Sequence, residues 1–247
     1  MSKRVLVIAA HPDDELLGLG ATVCWHASCG DLVTVAIVAD NGTARYKDET
    51  IESVRYCALQ AARRLGVTEV RFAGLADQKL DMVPILDITQ WIEGILQDIH
   101  PQIIYTHHRR DINHDHQVVH EATLTAARPY SSPYVERILC YETPSATEWA
   151  GPYAEDSFVP TVYVDISAHL EAKLSAVSTY TTEIRPYPHP RSLEALRTRA
   201  AHWGSVIGVA AAEPFMLMRE IQRPLLSAVD VLDDRGLVER KAAGATA

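Results

Sequence analysis

Apolar positions along this chain fall into two patterns, and the alternation between them predicts the elements. Short, nearly unbroken runs occur at Val5–Ala9, Leu32–Val38 and Gln102–Thr106, with a shorter one at Val70–Phe72. Runs of this length, rich in Val and Ile and bounded by breaks, read as strands buried on both faces. Between them lie longer stretches with helical spacing: Leu16–Cys29, Glu49–Leu65, Ile85–Ile99 and His116–Ala127. Gly66 suits the residue just past a helix end, Pro101 stops the third helix, and Pro12 fits just inside the start of the first. Strand, helix, strand at this spacing implies right-handed crossovers and a parallel sheet. The expected fold class is therefore α/β: a Rossmann-like, mostly parallel sheet flanked by helices, in a single domain. Gly18 and Gly20 are expected to let the first helix pack closely on that sheet.

The second half is less regular. Five prolines punctuate residues 128–160, with short strands predicted at Arg137–Tyr141 and Val162–Asp165. Helices follow at His169–Tyr180 and Leu193–Val206. Between them, Arg185-Pro186-Tyr187-Pro188-His189-Pro190-Arg191 is too rich in proline for a helix or central strand, and reads as an ordered loop over a site mouth. Residues 1–238 form the expected domain, and residues 239–247, small and polar, are expected to fray.

Length and composition agree with this picture. The chain has 247 residues and is 47% hydrophobic, enough for one sizeable core. No apolar run approaches the ~18–20 residues that span a bilayer, so no membrane insertion is expected. The basic start, Met1-Ser2-Lys3-Arg4, runs through a short apolar stretch straight into His11-Pro12, and so reads as a strand rather than a leader. The expected location is cytoplasmic. A net charge of −9 argues against nucleic-acid partners, while leaving a homo-oligomer open. The four cysteines form no C-x-x-C pair and read as reduced core thiols.

The candidate chemistry sits where strands give way to helices. The first strand delivers His11-Pro12-Asp13-Asp14-Glu15, a histidine and three carboxylates at the edge where α/β folds bind ligands. A helix N-terminus favours acids by only ~0.3–1 kcal/mol each, too little to explain three. The Gln102–Thr106 strand delivers His107 and His108, then Asp111-Ile112-Asn113-His114-Asp115-His116. By spacing alone, His116 and His120 could share a helix face, His114 and His116 could share a turn, or His116 could act alone with His11 and Asp14. The turn signal Asn41-Gly42 lies on the same edge, with Asn41 a candidate substrate contact. Leu17-Gly18-Leu19-Gly20 lacks the full G-x-G-x-x-G of a dinucleotide site, and no G-x-S-x-G elbow is present.

The two segments resemble the paired motifs of the LmbE-like or PIG-L family of zinc-dependent N-deacetylases, H-P-D-D-E and D-x-H-x-D-H. The resemblance extends to Arg55 ahead of Leu65-Gly66-Val67, to Asp165-Ile166-Ser167, to His189-Pro190-Arg191-Ser192 and to Ala212-Glu213-Pro214-Phe215. It implies His11, Asp14 and His116 as ligands of one Zn²⁺ per chain, with Fe²⁺ or another divalent ion as the alternative. It implies Asp13 as general base and Asp115 as a residue orienting a ligand or basic group. Glu15 anchors the helix start or supports the metal ligands from behind in this reading, and His120 is a satisfied helix residue. Asn113 stands where many members have His, and can stabilise an oxyanion but not give up a proton, which leaves acid catalysis to Asp13, His108 or His114. Arg55, His108 and Arg191 are the further substrate-binding candidates. The implied activity is removal of an acetyl or similar acyl group from a small N-acetylglucosamine-type amino sugar. The alternatives are hydrolysis of another small amide, or a silent metal- or sugar-binding protein.

Overall fold

The computed structural model describes residues 2–40, 49–151, 153–222, 231–232 and 238–239. The strands are β1 (Arg4–Ala9), β2 (Leu32–Ile37), β3 (Glu69–Phe72), β4 (Ile103–His107), β5 (Arg137–Tyr141), β6 (Val162–Asp165) and β7 (Ala212–Glu220). They form one seven-stranded sheet in the order β3-β2-β1-β4-β5-β7-β6. The first five pair in parallel, and β7 runs antiparallel between β5 and β6. A separate two-stranded ribbon joins β8 (Val231–Leu232) to β9 (Val238–Glu239). Of the expected fraying tail, Glu239 thus has a place in a strand, and residues 240–247 lie outside the described residues.

The helices are α1 (Asp14–Ser28), α2 (Glu49–Leu65), α3 (Ile85–Ile99), α4 (His114–Ala126), α5 (Leu170–Val177) and α6 (Leu193–Ile207). Side chains of β1 alternate across the sheet, as a strand's period of two requires. Val5, Val7 and Ala9 join a core with α1, α2 and α5. Leu6 and Ile8 join a second core with α3 and α4. Both faces being covered, Val5–Ala9 of β1 are fully buried, which is why they read as a solid apolar run.

Three local expectations change. Pro12 lies outside α1, which begins at Asp14 with Asp13 as the capping residue. α4 begins two residues early, at His114, because Asn113 caps it. The strand β7 was not predicted, since Glu213 and Pro214 interrupt its apolar pattern. Gly18 does permit close approach: a Cβ there would sit 2.4 Å from the Tyr141 ring.

Helix α1 is broken at Leu19, whose φ of −143° and ψ of 24° are not helical. A break frees backbone groups that must find other partners when buried. Here the Leu17 carbonyl accepts from Lys173 Nζ at 2.8 Å. The Ala21 and Thr22 amides donate to the Glu213 carboxylate at 3.2 and 2.7 Å, and the Thr22 hydroxyl does so at 2.6 Å. Lys173 and Glu213 close the cluster as a buried ion pair at 2.6 Å. This cluster ties the middle of α1 to α5 and β7.

Candidate active site

From β1 the chain proceeds to β2 on one side, while β4 lies on the other. That reversal opens a crevice at the carboxyl ends of β1 and β4, where α/β proteins bind ligands. The loop after β1 carries His11–Asp14, and the loop after β4 carries Asp111–His116. Topology alone therefore brings the two sequence motifs together.

Three atoms converge there. His11 Nδ1 and His116 Nε2 each lie 3.2 Å from Asp14 Oδ2, and 3.3 Å from one another. Zinc bound tetrahedrally at ~2.0–2.1 Å would separate its ligand atoms by roughly 3.3 Å, so the triangle has the edges of one tetrahedral face. The far nitrogens have carboxylates of their own. His11 Nε2 lies 2.9 Å from Asp77 Oδ1 and 3.0 Å from Asp115 Oδ2. His116 Nδ1 faces Asp111 Oδ2 at 3.1 Å, off the line of a good hydrogen bond. A neutral imidazole that keeps its proton on the carboxylate side turns a lone pair inward. Three inward lone pairs repel unless a cation or protons sit among them.

Asp14 Oδ1 is buried and has no hydrogen-bond partner, a second sign that the donor set suits a cation. His11, Asp77 and Asp115 also lie within ligating distance of one another. Asp115, however, already accepts from the Gln78 amide at 2.7 Å and the Leu80 amide at 3.1 Å. That second cluster is bound up in supporting His11, which leaves the first as the candidate metal centre. His120, the rival ligand by spacing, bonds the His107 carbonyl through Nδ1 at 2.9 Å, as a satisfied core residue does.

Protonation follows the same geometry. Burial pushes the His116 imidazole down, but Asp14 and Asp111 outweigh it and lift the group to about 9. His11 is opposed by burial too, and is raised well above its ordinary value by Asp115, Asp14 and Asp77. His107, buried and stacked on His116 at 3.9 Å, is held well below, chiefly by burial and then by His116. Its Nε2 accepts the Ala10 amide at 2.8 Å, fixing the ring as neutral.

Asp13 and Asp14 face different ways because of the backbone. Asp13 has φ of 106°, a conformation rare for a residue with a side chain and costing ~1–3 kcal/mol. Glu15 Oε2 accepts the Asp13 amide at 3.1 Å, and the Leu16 and Leu17 amides bond the Asp13 carbonyl. Glu15 therefore does anchor the helix start, and burial, with Asp13 adding to it, pushes its carboxyl up to about 8. The Asp13 side chain meets Arg191 at 2.9 Å. Burial raises Asp13 to about 7, against the pull of Arg191.

Arg191 also bonds Ser145 Oγ at 2.7 Å and lies 3.1 Å from Glu183. The proline-rich loop thus reaches the site, although Arg185 turns to the Thr182 carbonyl instead. Asn113 Oδ1 accepts the Asp115 amide at 3.0 Å as the cap of α4. His108 bonds the Asp156 carbonyl at 2.8 Å and packs against Phe158, facing the 153–158 turn. Arg55 pairs with Asp40 and lies over Phe72, with its side chain 41% exposed. Asn41 lies outside the described residues. Sequence reading missed Asp77, Glu183 and Ser145. An Asp in a loop, a Glu beside Arg185 and a Ser after a proline carry no signal by themselves.

Comparison with known proteins agrees with this geometry. The family profile described as PIG-L, GlcNAc-PI de-N-acetylase, matches residues 6–127, which include both motifs. An Escherichia coli (strain K12) protein described as an uncharacterized deacetylase, YaiS, is 28% identical over 186 residues, covering 72% of this chain and 90% of its own. The 1D-myo-inositol 2-acetamido-2-deoxy-alpha-D-glucopyranoside deacetylase of Thermomonospora curvata is 25% identical over 241 residues, covering 74% and 81%. Among solved structures, N,N'-diacetylchitobiose deacetylase from Pyrococcus horikoshii superposes with a TM-score of 0.72 at 23% identity, covering 88% of this chain and 84% of that one. A 4-carboxy-2-hydroxymuconate hydratase from Pseudomonas putida superposes equally well, at 0.71 and 18% identity, over 91% and 100%. At such identities the superpositions establish the fold, and the fold alone does not choose between the two chemistries.

Proposed function

We propose, from the premise that residues 6–127 form a PIG-L (LmbE-like) deacetylase family domain, that the chain hydrolyses the N-acetyl or a similar small acyl amide of an N-acetylglucosamine-type amino sugar or conjugate. The observation that carries the reading is the triangle of His11 Nδ1, Asp14 Oδ2 and His116 Nε2, with edges of 3.2, 3.2 and 3.3 Å. These residues would hold a divalent cation, zinc by ligand type, with iron admitted by the same donors. Such an ion, when bound, lowers the pKa of water toward ~7 and polarises a carbonyl.

The protein's own groups supply the rest. Asp13 takes a proton from the attacking water and returns it to the leaving nitrogen. Its burial, which lifts it to about 7, suits both directions of transfer. Arg191 holds that carboxylate toward the cleft. Asn113 commits its oxygen to the Asp115 amide, which leaves its NH₂ as a donor for an oxyanion. Asp115 orients His11, and Asp111 stands behind His116. Arg55, paired with Asp40 just after β2, and His108, just after β4, are the substrate contacts in this reading, with Asn41 added on its sequence position alone. The presence of Asp13 argues against a silent binding protein.

The test is acetate release from N-acetylglucosamine conjugates by metal-loaded protein, before and after chelation and after return of zinc or iron. Release that stops with chelator and returns with metal is the expected result. A metal-loaded protein that releases no acetate from any of them overturns the substrate reading.

A further inference from the structure

The turn after β5 is fastened to both halves of the site. Thr147 Oγ1 donates to Asp111 Oδ2 at 2.9 Å, and Asp111 Oδ2 faces His116 at 3.1 Å. Ser145 Oγ accepts from Arg191 Nε at 2.7 Å, and Arg191 reaches Asp13 at 2.9 Å. The turn is also locked internally: the Thr143 amide bonds Thr147 Oγ1 at 2.8 Å, and the Ser145 amide bonds Glu148 Oε1 at 2.9 Å. This well-held turn ends in a short 3₁₀ helix, Thr147–Trp149, and Trp149 is 52% exposed.

The imidazole of His189 stands against the Trp149 indole, with ring centroids 5.7 Å apart and planes at 89°. Trp149 is two residues from Thr147, and His189 is two from Arg191. At 3.8 Å per Cα step, the two rings spring from backbone within about 8 Å of Thr147, which bonds Asp111 behind His116, and of Arg191, which bonds Asp13. The pair therefore sits on the cleft rim, held by the same bonds that hold the catalytic groups.

A half-open indole in that position suits a particular ligand chemistry. An aromatic face carries partial negative charge and prefers weakly positive C–H edges. Saturated polyhydroxylated rings present such C–H groups on their faces and hydroxyls around their edges. We infer that Trp149, braced by His189, is a stacking subsite for a saturated polyhydroxylated six-membered ring, a second sugar or a cyclitol, joined to the acylated sugar. This rests on the deacetylase reading above and extends it from the acylated ring to its neighbour.

The experiment compares kcat/KM for acetate release by the metal-loaded protein from three probes. These are the methyl glycoside of N-acetylglucosamine, N,N'-diacetylchitobiose, and N-acetylglucosamine α-linked to myo-inositol. Wild type should favour at least one ring conjugate over the methyl glycoside. Trp149→Ala should lower that preference by roughly 3- to 10-fold, through KM, in line with an aromatic contact of ~0.5–1.5 kcal/mol. Trp149→Phe should restore most of it. Equal kcat/KM for all three probes in wild type, or a preference that Trp149→Ala leaves unmoved, overturns the subsite and leaves the deacetylase reading standing. Wild type that releases acetate from none of the three overturns the deacetylase reading, and the subsite with it, before any variant is made.

Discussion

Helix α1 carries two buried polar clusters, and they are built on opposite plans. At its break, the Leu17 carbonyl, the Ala21 and Thr22 amides and the Thr22 hydroxyl all bond to the Lys173–Glu213 pair. Charge is matched within the protein, and the backbone groups freed by the break are served. At its N-terminal end, Asp14 Oδ1 has no partner, and three ligating atoms point at one another. Both clusters are largely buried, His11 alone being part-exposed, so burial does not separate structure from function here. Completeness does: a closed network holds the fold, and an open one awaits a further charge.

The contrast breaks most readily at the open end. His116→Ala should abolish both turnover and the binding of about one metal ion per chain, whereas His120→Ala should keep the metal. Metal analysis of the two purified variants decides it, and the reverse pattern would move the centre to α4's own face. Next in size is Asp13→Asn, which should retain metal and lose ~10²–10⁴-fold in kcat, the usual span of a general base. Near-normal kcat with metal bound would remove Asp13 from the chemistry.

At the closed end, Lys173→Met should cost about 3–5 kcal/mol, because it strands the Glu213 charge in the interior. Pairing it with Glu213→Gln should recover much of that loss in denaturant unfolding, and the folded fraction of either variant should still bind one metal. A Lys173→Met protein of wild-type stability would show that the pair is not a closed unit. The smallest expected effect separates two roles in one residue. Asn113→Asp keeps the cap of α4 and loses the NH₂ donor, so stability should hold while kcat falls ~10²–10³-fold. Unchanged kcat would leave Asn113 as a cap alone.

How much of this was legible depended on how local each signal was. The runs Val5–Ala9 and Leu32–Val38 announced a parallel sheet because strands buried on both faces have no polar alternation. His11, Asp14 and His116 stood out because each motif falls where a strand ends. β7 was hidden by Glu213 and Pro214, which look like loop residues until Glu213 is seen serving α1 and Pro214 pairing with Tyr163 of β6. The left-handed Asp13 backbone has no composition cue, since it comes from the bonds around it rather than from a glycine. Arg191 could be named from the sequence as a candidate, but its hold on Asp13 spans 178 positions and could only come from the fold.

The break in α1 also sets an order of events. His11, Asp14 and His116 have all been synthesised before half of the 247 residues are joined. Glu213, which serves the Ala21 and Thr22 amides, comes 191 positions after Thr22. During synthesis the early half of the chain holds every candidate ligand but not Lys173 and Glu213, the groups that serve the break in the helix carrying Asp14. On the proposed reading, metal capture, which draws on a formed site, would belong to the end of maturation. A half-made chain would carry its histidines loose, and only the last strand of the sheet to be synthesised would complete the frame around them.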